Sequence, residues 1–222
     1  MKKKKILFCC RYNDIYSKKL IILIRKFKDV KLTVFFSKKI GEKINKKYLK
    51  KYNYIFSYRS YLKINNFLLN KSNLCINFHP GPPKYRGIGA LIFAIFNNEK
   101  SYGVTSHLIS SKIDHGKIIK TIKFKINKTM KFHDILNLTH KKLYKLSYDT
   151  IKNILTYPGK KITFNKLIKW NKKIYNLKDV KKLNSIHTNI TKKELNLRIK
   201  ALNNMYNKPY IILHGHKFYL EK

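Results

Sequence analysis

Residues 5–10, Lys-Ile-Leu-Phe-Cys-Cys, form a continuous apolar run once the leading lysine is passed. A strand that is apolar on both faces must be covered on both, and a parallel sheet clothed by helices does so. The next residues supply a helix. Asn13 or Asp14 caps it, and Tyr16, Leu20, Leu23, Ile24 and Phe27 recur along one stripe. Residues 32–36, 54–57 and 74–79 read as further strands and 66–69 as a short helix. The lysine-rich stretch 38–51 carries a weak helical stripe through Ile40, Ile44, Tyr48 and Leu49. Strands alternating with helices predict an α/β fold, a Rossmann-like, mostly parallel sheet with helices on both faces.

The pattern continues with a hydrophobic helix at 89–97 and strands at 102–109 and 117–126. Thr129 or His133 opens a long helix to about Leu155, with Phe132, Leu136, Leu143 and Ile154 on one face, and Tyr157-Pro-Gly159 ends it. Beyond Lys160 the pattern loosens. Trp170, Tyr175 and residues 177–183 read as a connecting arm. Thr191-Lys-Lys-Glu194 is a capping box for a helix over 194–202, and residues 209–213, a His214-Gly215 turn and 216–220 make a hairpin. The expected division is a domain over 1–158 and a small C-terminal helix and β-hairpin extension over 159–222.

Ligands in such sheets bind beyond the carboxyl ends of the strands. The fourth strand stops abruptly there, in Cys75-Ile-Asn77-Phe-His79-Pro-Gly-Pro-Pro83-Lys-Tyr-Arg-Gly87-Ile-Gly89. Prolines cannot donate to a ladder, so the chain turns away. Asn77 and His79 are two apart and leave the strand on the same face. Either alone reads as a cap or a satisfied strand histidine. Together they are a polar site on a rigid element: the imidazole can pass a proton near neutrality, and the carboxamide can donate to an oxygen gaining charge.

N-x-H followed by P-G-P-P and a glycine-rich exit resembles the active-site strand of the folate-dependent formyltransferases, closest to the branch acting on nucleotide-linked amino sugars. The resemblance continues in Tyr102-Gly-Val-Thr105-Ser-His and in Ile113-Asp114-His-Gly116-Lys-Ile-Ile119, similar to that family's G-V-T strand and D-x-G-x-I-I segment. Ser57-Tyr-Arg-Ser60 is similar to the S-F-R-S loop with which sugar formyltransferases hold the pterin. The helix at 194–202, with Tyr206, Pro209 and Gly215-His-Lys-Phe218 after it, resembles the tail of the same branch.

By this resemblance the catalytic residues are Asn77, His79 and Asp114. Asn77 would donate to the formyl oxygen, His79 would donate to it or relay the proton, and Asp114 would orient His79 or a water and accept the amine proton. Tyr58, Arg59, Ser60, Tyr61 and Ile113 would line the folate pocket. The implied donor is 10-formyltetrahydrofolate, without a metal, and the implied acceptor a nucleotide-linked amino sugar such as a 4-amino-4,6-dideoxyhexose. Lys84-Tyr85-Arg86 instead resembles the K-Y-R of methionyl-tRNA formyltransferases, which keeps initiator tRNA as an alternative acceptor. That branch usually carries a C-terminal β-barrel, for which the stretch after Pro158 is short. A homodimer is left open. His107 reads as a core residue or one behind the site, His115 as a turn residue, and His214-Gly-His216 as a hairpin turn lacking the third ligand of a metal site.

A formal net charge of +41 invites a nucleic-acid reading, and a catalytically idle, basic RNA-binding domain is the alternative from a different class. Of the 51 Lys plus Arg, however, only Arg11, Arg25, Arg59, Arg86 and Arg198 are arginine, the residue whose fork suits bases and phosphates. Lys, Asn, Ile, Tyr and Phe, all written by A- and T-rich codons, are raised together, so codon bias accounts for the charge and nucleic acid is disfavoured. Cys9, Cys10 and Cys75 lack redox or zinc spacing and read as buried hydrophobes in a reducing compartment. The basic N-terminus has too short an apolar core for a signal peptide, and the longest apolar run, 90–96, is far below the ~20 residues of a membrane span. A cytoplasmic location without a membrane partner is expected.

Overall fold

The computed structural model describes residues 3–127, 129–202 and 207–221. It begins with β1 (Lys4–Arg11), α1 (Ile15–Arg25), β2 (Val30–Ser37), β3 (Tyr52–Tyr58), α2 (Asn66–Asn70) and β4 (Ser72–His79). The apolar run of β1 divides between two cores. Ile6, Phe8 and Cys10 pack with Leu20 and Ile24 of α1, while Leu7 and Cys9 pack with Phe35, Ile55, Leu68 and Cys75 on the opposite face. Asp14 caps α1, its carboxylate accepting from the Ser17 N–H at 2.8 Å and the Ser17 hydroxyl at 2.7 Å. The three cysteines are free and buried, and burial pushes the thiols up, Cys10 to about 12 and Cys75 to about 11.

There follow β5 (Arg86–Gly87), α3 (Ala90–Phe96), β6 (Ser101–Leu108), β7 (Ile118–Lys125) and α4 (Phe132–Thr156). The main sheet has the order β2-β1-β3-β4-β6-β7, parallel through β4 and antiparallel at β6 and β7. Residues 109–117 are too few for a crossover helix, so β7 turns straight back along β6. Strand order reverses at β1 and β3, the kind of position where such sheets bind ligands. The buried face of α4 runs through Phe132, Ile135, Thr139, Leu143, Leu146, Ile151 and Leu155. Leu136 and Ile154, expected on that face, are only half-buried, because Phe132 and Ile135 pack against α3 whereas Leu143 onward packs on the sheet. The helix is opened by Lys131, whose N–H donates to Asp134 at 2.8 Å, not by Thr129 or His133.

The stripe over 38–51 does not form a helix. Gly41 sits at φ 82 and the Asn45 side chain accepts from the Lys47 N–H, so only a 3-10 turn at Lys46–Tyr48 is helical. Ile44, Tyr48 and Leu49 still pack on the Leu7 and Cys9 core, as loop residues. The expected arm contains β8 (Ile174–Tyr175), α5 (Leu177–Asn184) and β9 (Ser185–Ile186), and is followed by α6 (Lys192–Leu202), β10 (Tyr210–Leu213) and β11 (His216–Tyr219). β8 pairs with β5, and β9 adds to the β10–β11 hairpin. Thr191 accepts from the Glu194 N–H at 3.1 Å, so α6 begins two residues before the expected start. Ala201 and Leu202 are buried in the core that α3 lines. His214 and Gly215 have φ of 47 and 81, as a two-residue I′ turn requires. Tyr206 lies outside the described residues. Among them, no helix is long and apolar enough to cross a membrane.

Candidate active site

Asn77 and His79 leave β4 toward the face opposite α1 and α4. β6 lies antiparallel beside them, with Asn77 opposite His107 and His79 opposite Thr105. The β6–β7 ladder slips at His107, with Ile119 passed over between pairs, an irregularity of the kind that re-aims a side chain. The loop after β6 then folds back and brings Asp114 over this face. Its φ of 43 is in the left-handed region, which Asp tolerates better than most residues. Asp114 Oδ2 lies 3.3 Å from His79 Nδ1, and Oδ1 lies 3.3 Å from His107 Nε2. Asn77 Nδ2 donates to Oδ1 at 3.4 Å, and the Gly87 N–H donates to Oδ2 at 2.8 Å. Two glycines make room. A Cβ on Gly116 would stand 1.8 Å from the Leu108 carbonyl oxygen, and one on Gly81 would stand 2.5 Å from His79 Nε2.

Arg86, from the exit of the β4 motif, and Trp170, from the C-terminal arm, clamp the loop. Arg86, only 4% exposed, donates from Nε to the Asp114 carbonyl (2.7 Å), from Nη2 to that of Ile113 (2.9 Å) and from Nη1 to that of Asn171 (2.8 Å). Trp170 donates from Nε1 to the Gly116 carbonyl at 2.8 Å, and its ring stands edge-on to His79 and His107, with centroids 6.0 and 4.8 Å away. Neither was singled out for the site in the sequence. Trp170 is 54 positions from its acceptor, and nothing local marks the contact.

Burial alone would raise the Asp114 carboxyl. The charge on His79, the hydrogen bond and charge of His107 and the Gly87 N–H outweigh it and hold the group well below the usual carboxylate range. Asp114 is therefore an acceptor only. His79 Nε2 donates to the Tyr85 carbonyl at 2.8 Å, since a carbonyl cannot donate, and Nδ1 faces the carboxylate, so both ring nitrogens face acceptors. The arrangement can hold a proton between imidazole and carboxylate, with an amide donor beside them.

Of the residues expected at a cofactor, Tyr58, Arg59, Ser60 and Tyr61 lie one strand away, at the carboxyl end of β3. The Tyr58 ring is fully buried in the core against Phe78, so at that position only backbone can meet a ligand. Arg59 is ion-paired with Asp14. Ser60 donates to the Ser37 hydroxyl at 3.1 Å and the Tyr61 N–H donates to the same oxygen at 2.9 Å. The Arg11 guanidinium stands 4.4 Å over the Tyr61 ring. Burial and the positive charge of Arg59 push the nearby His140 down to about 4. Ile113 belongs to the Asp114 loop, its side chain half exposed and its carbonyl held by Arg86. Tyr61 and Ser60 with Arg11 offer an aromatic face and polar groups beside β4, donors that fit a flat heteroaromatic ring.

A family model described as formyl transferase matches residues 24–151, more than half of the chain. Among solved structures, a 4-N formyltransferase from Francisella tularensis is 27% identical, with a TM-score of 0.80 over 98% of this chain and 96% of that one. An N-formyltransferase from Helicobacter canadensis, solved with folinic acid and dTDP-3-aminofucose, shares the fold at 23% identity and a TM-score of 0.73, over 98% of this chain and 86% of that one. The methionyl-tRNA formyltransferase of Borrelia garinii subsp. bavariensis is 31% identical over 136 residues, 58% of this chain and 40% of that protein. The chain matches less than half the length of the curated relatives it resembles.

Proposed function

Because the chain belongs to the formyl transferase family, we propose that it is an N-formyltransferase that moves a formyl group from 10-formyltetrahydrofolate to the primary amine of a nucleotide-linked amino sugar. One observation carries the reading: Asn77, His79 and Asp114 meet within 3.4 Å at the carboxyl end of β4. The likeness to the F. tularensis 4-N formyltransferase over 98% of this chain supports N-formylation, and the H. canadensis enzyme solved with dTDP-3-aminofucose supports a nucleotide-linked amino sugar as acceptor.

The bound donor supplies an activated formyl carbon. Three things are then asked of the chain: to stabilise charge on the formyl oxygen, to orient the amine, and to carry a proton from it to the donor nitrogen as the formyl C–N bond breaks. Asn77 is half-buried, and its amide N–H is the donor for the oxygen. His79 Nε2–H donates to the Tyr85 carbonyl oxygen, so it serves a formyl oxygen by leaving that partner. Asp114, an anion in a nearly dry site, fixes His79 through Nδ1 and orients it, or a water, for the proton that passes from the amine to the departing nitrogen. Tyr61, Ser60 and the backbone around Arg59 are the residues to hold the pterin, with Ile113 at the Asp114 side.

A second reading, transfer to initiator methionyl-tRNA, is favoured by the alignment with the Borrelia enzyme. Lys84-Tyr85-Arg86 does not strengthen it. Arg86 is spent on three backbone carbonyls, Tyr85 is 1% exposed, and Lys84 pairs with Glu99. The buried, unpaired thiols accord with a reducing, cytoplasmic setting.

The test is incubation of the purified protein with 10-formyltetrahydrofolate and a panel of nucleotide-linked amino sugars, read as the mass gain of one formyl group. Gain on charged initiator tRNA alone moves the acceptor to the second reading, and gain on neither sinks the reaction.

A further inference from the structure

We propose that His107 is a positioning residue whose protonation at Nε2 decides which way the Asn77 carboxamide faces. The consequence for catalysis rests on the formyl-transfer reading above; the geometry does not.

His107 Nδ1 lies 2.7 Å from the Leu108 carbonyl oxygen and must donate to it, which leaves Nε2 as the only variable nitrogen of the ring. Asn77 Nδ2 is 3.1 Å from that nitrogen and 3.4 Å from Asp114 Oδ1. With Nε2 unprotonated, both amide hydrogens have acceptors behind the strand, and the group left to face a substrate is the amide oxygen. That orientation cannot stabilise an oxyanion. Half a turn of the carboxamide brings the N–H groups outward and sets its oxygen against the Asp114 carboxylate, oxygen on oxygen. A proton on His107 Nε2 removes this conflict, because it can be shared between Asp114 Oδ1, 3.3 Å away, and the turned amide oxygen. The ring is held for this task by Trp170, edge-on at 4.8 Å, and by the slip in the β6–β7 ladder.

The titratable groups facing His107 are Asp114 from the loop after β6 and, across that carboxylate, His79 from β4. The arm contributes the uncharged Trp170, and β7 contributes Ile118, its register partner. One carboxylate serves two imidazoles, so a proton on one disfavours a proton on the other.

The test is an NMR pH titration of the full chain labelled with 15N in His and Asn side chains. Expected are a His107 ring that keeps its Nδ1 proton throughout while Nε2 titrates, and Asn77 amide resonances that move with the same midpoint. Immobile Asn77 resonances, or a His107 that is protonated at Nε2 and bare at Nδ1, would overturn the proposal. The titration needs no turnover, so it stays readable even where the formyl-transfer reading fails. In the activity arm, His107→Gln keeps a donor and should hold the rate within about tenfold while losing the pH limb at that midpoint. His107→Leu should lose the limb and fall about a hundredfold in kcat with little change in KM. A His107→Leu enzyme that keeps the wild-type pH profile shows a packing role only and counts against the idea.

Discussion

Two aspartates stand at the same edge of the same sheet, equally buried, in different company. Asp14, 8% exposed, accepts from the Ser17 N–H and hydroxyl and is ion-paired with Arg59. Asp114, 9% exposed, is shared by two imidazoles, an amide and one backbone N–H. A guanidinium does not lose its proton in the working range, so the first pair is a latch that ties α1 to the loop after β3 at any ordinary pH. Imidazoles do gain and lose protons there, so the second cluster can carry charge in and out. Burial of a carboxylate is the same in both places; what separates structure from chemistry is whether its partners can titrate or turn.

The comparison is sharpened first by Asp114→Asn. Formyl transfer is expected to fall by about a thousandfold or more, with the melting temperature lowered by several degrees and the chain still folded, because the neutral amide fills the space but does not fix the His79 proton. Calorimetry and turnover on one preparation check both halves. Asp14→Asn should do the reverse. Leaving Arg59 buried without its partner costs about 3–5 kcal/mol by chemical denaturation, while the protein that stays folded keeps its turnover within about tenfold. Comparable activity losses in the two variants would break the distinction.

A further effect is read at Asp114 by pH. The Asp114 pKa is depressed in the folded chain, so the unfolded chain takes up the proton first as pH falls. Its stabilisation is present above the unfolded value near 4 and is lost as pH drops toward the folded value, at up to about 1.4 kcal/mol per pH unit. Stability curves between pH 2 and 7 should therefore be flatter on the acid side in Asp114→Asn than in the wild type.

Much of this was legible in the sequence because it is local. Alternation placed Asn77 and His79 on one face, the unbroken run through Cys10 demanded cover on both sides, and Asp14 was one of two candidates to cap α1. The rest depends on pairing between distant segments. His107 reaches Asn77 only because β6 runs antiparallel beside β4 in one register, and no pattern within 101–108 announces that. Arg86 and Trp170 clamp the Asp114 loop through backbone carbonyls, which leave no mark on composition. The stripe at 38–51 misled because Ile44, Tyr48 and Leu49 are satisfied as loop residues on the Leu7 core while Ile40 is exposed, with Gly41 and Asn45 turning the chain. Tyr58 looked like a loop residue and is core, since β3 runs on through it.

The most direct trial is single-turnover formyl transfer by His79→Ala, beside wild type, from 10-formyltetrahydrofolate to whichever amino-sugar nucleotide the wild type formylates. The imidazole joined to Asp114 through Nδ1 should account for a loss of at least about a thousandfold, with the melting curve unchanged in shape. Turnover within about tenfold of the wild type would contradict the assignment of this cluster as the place where the formyl group moves.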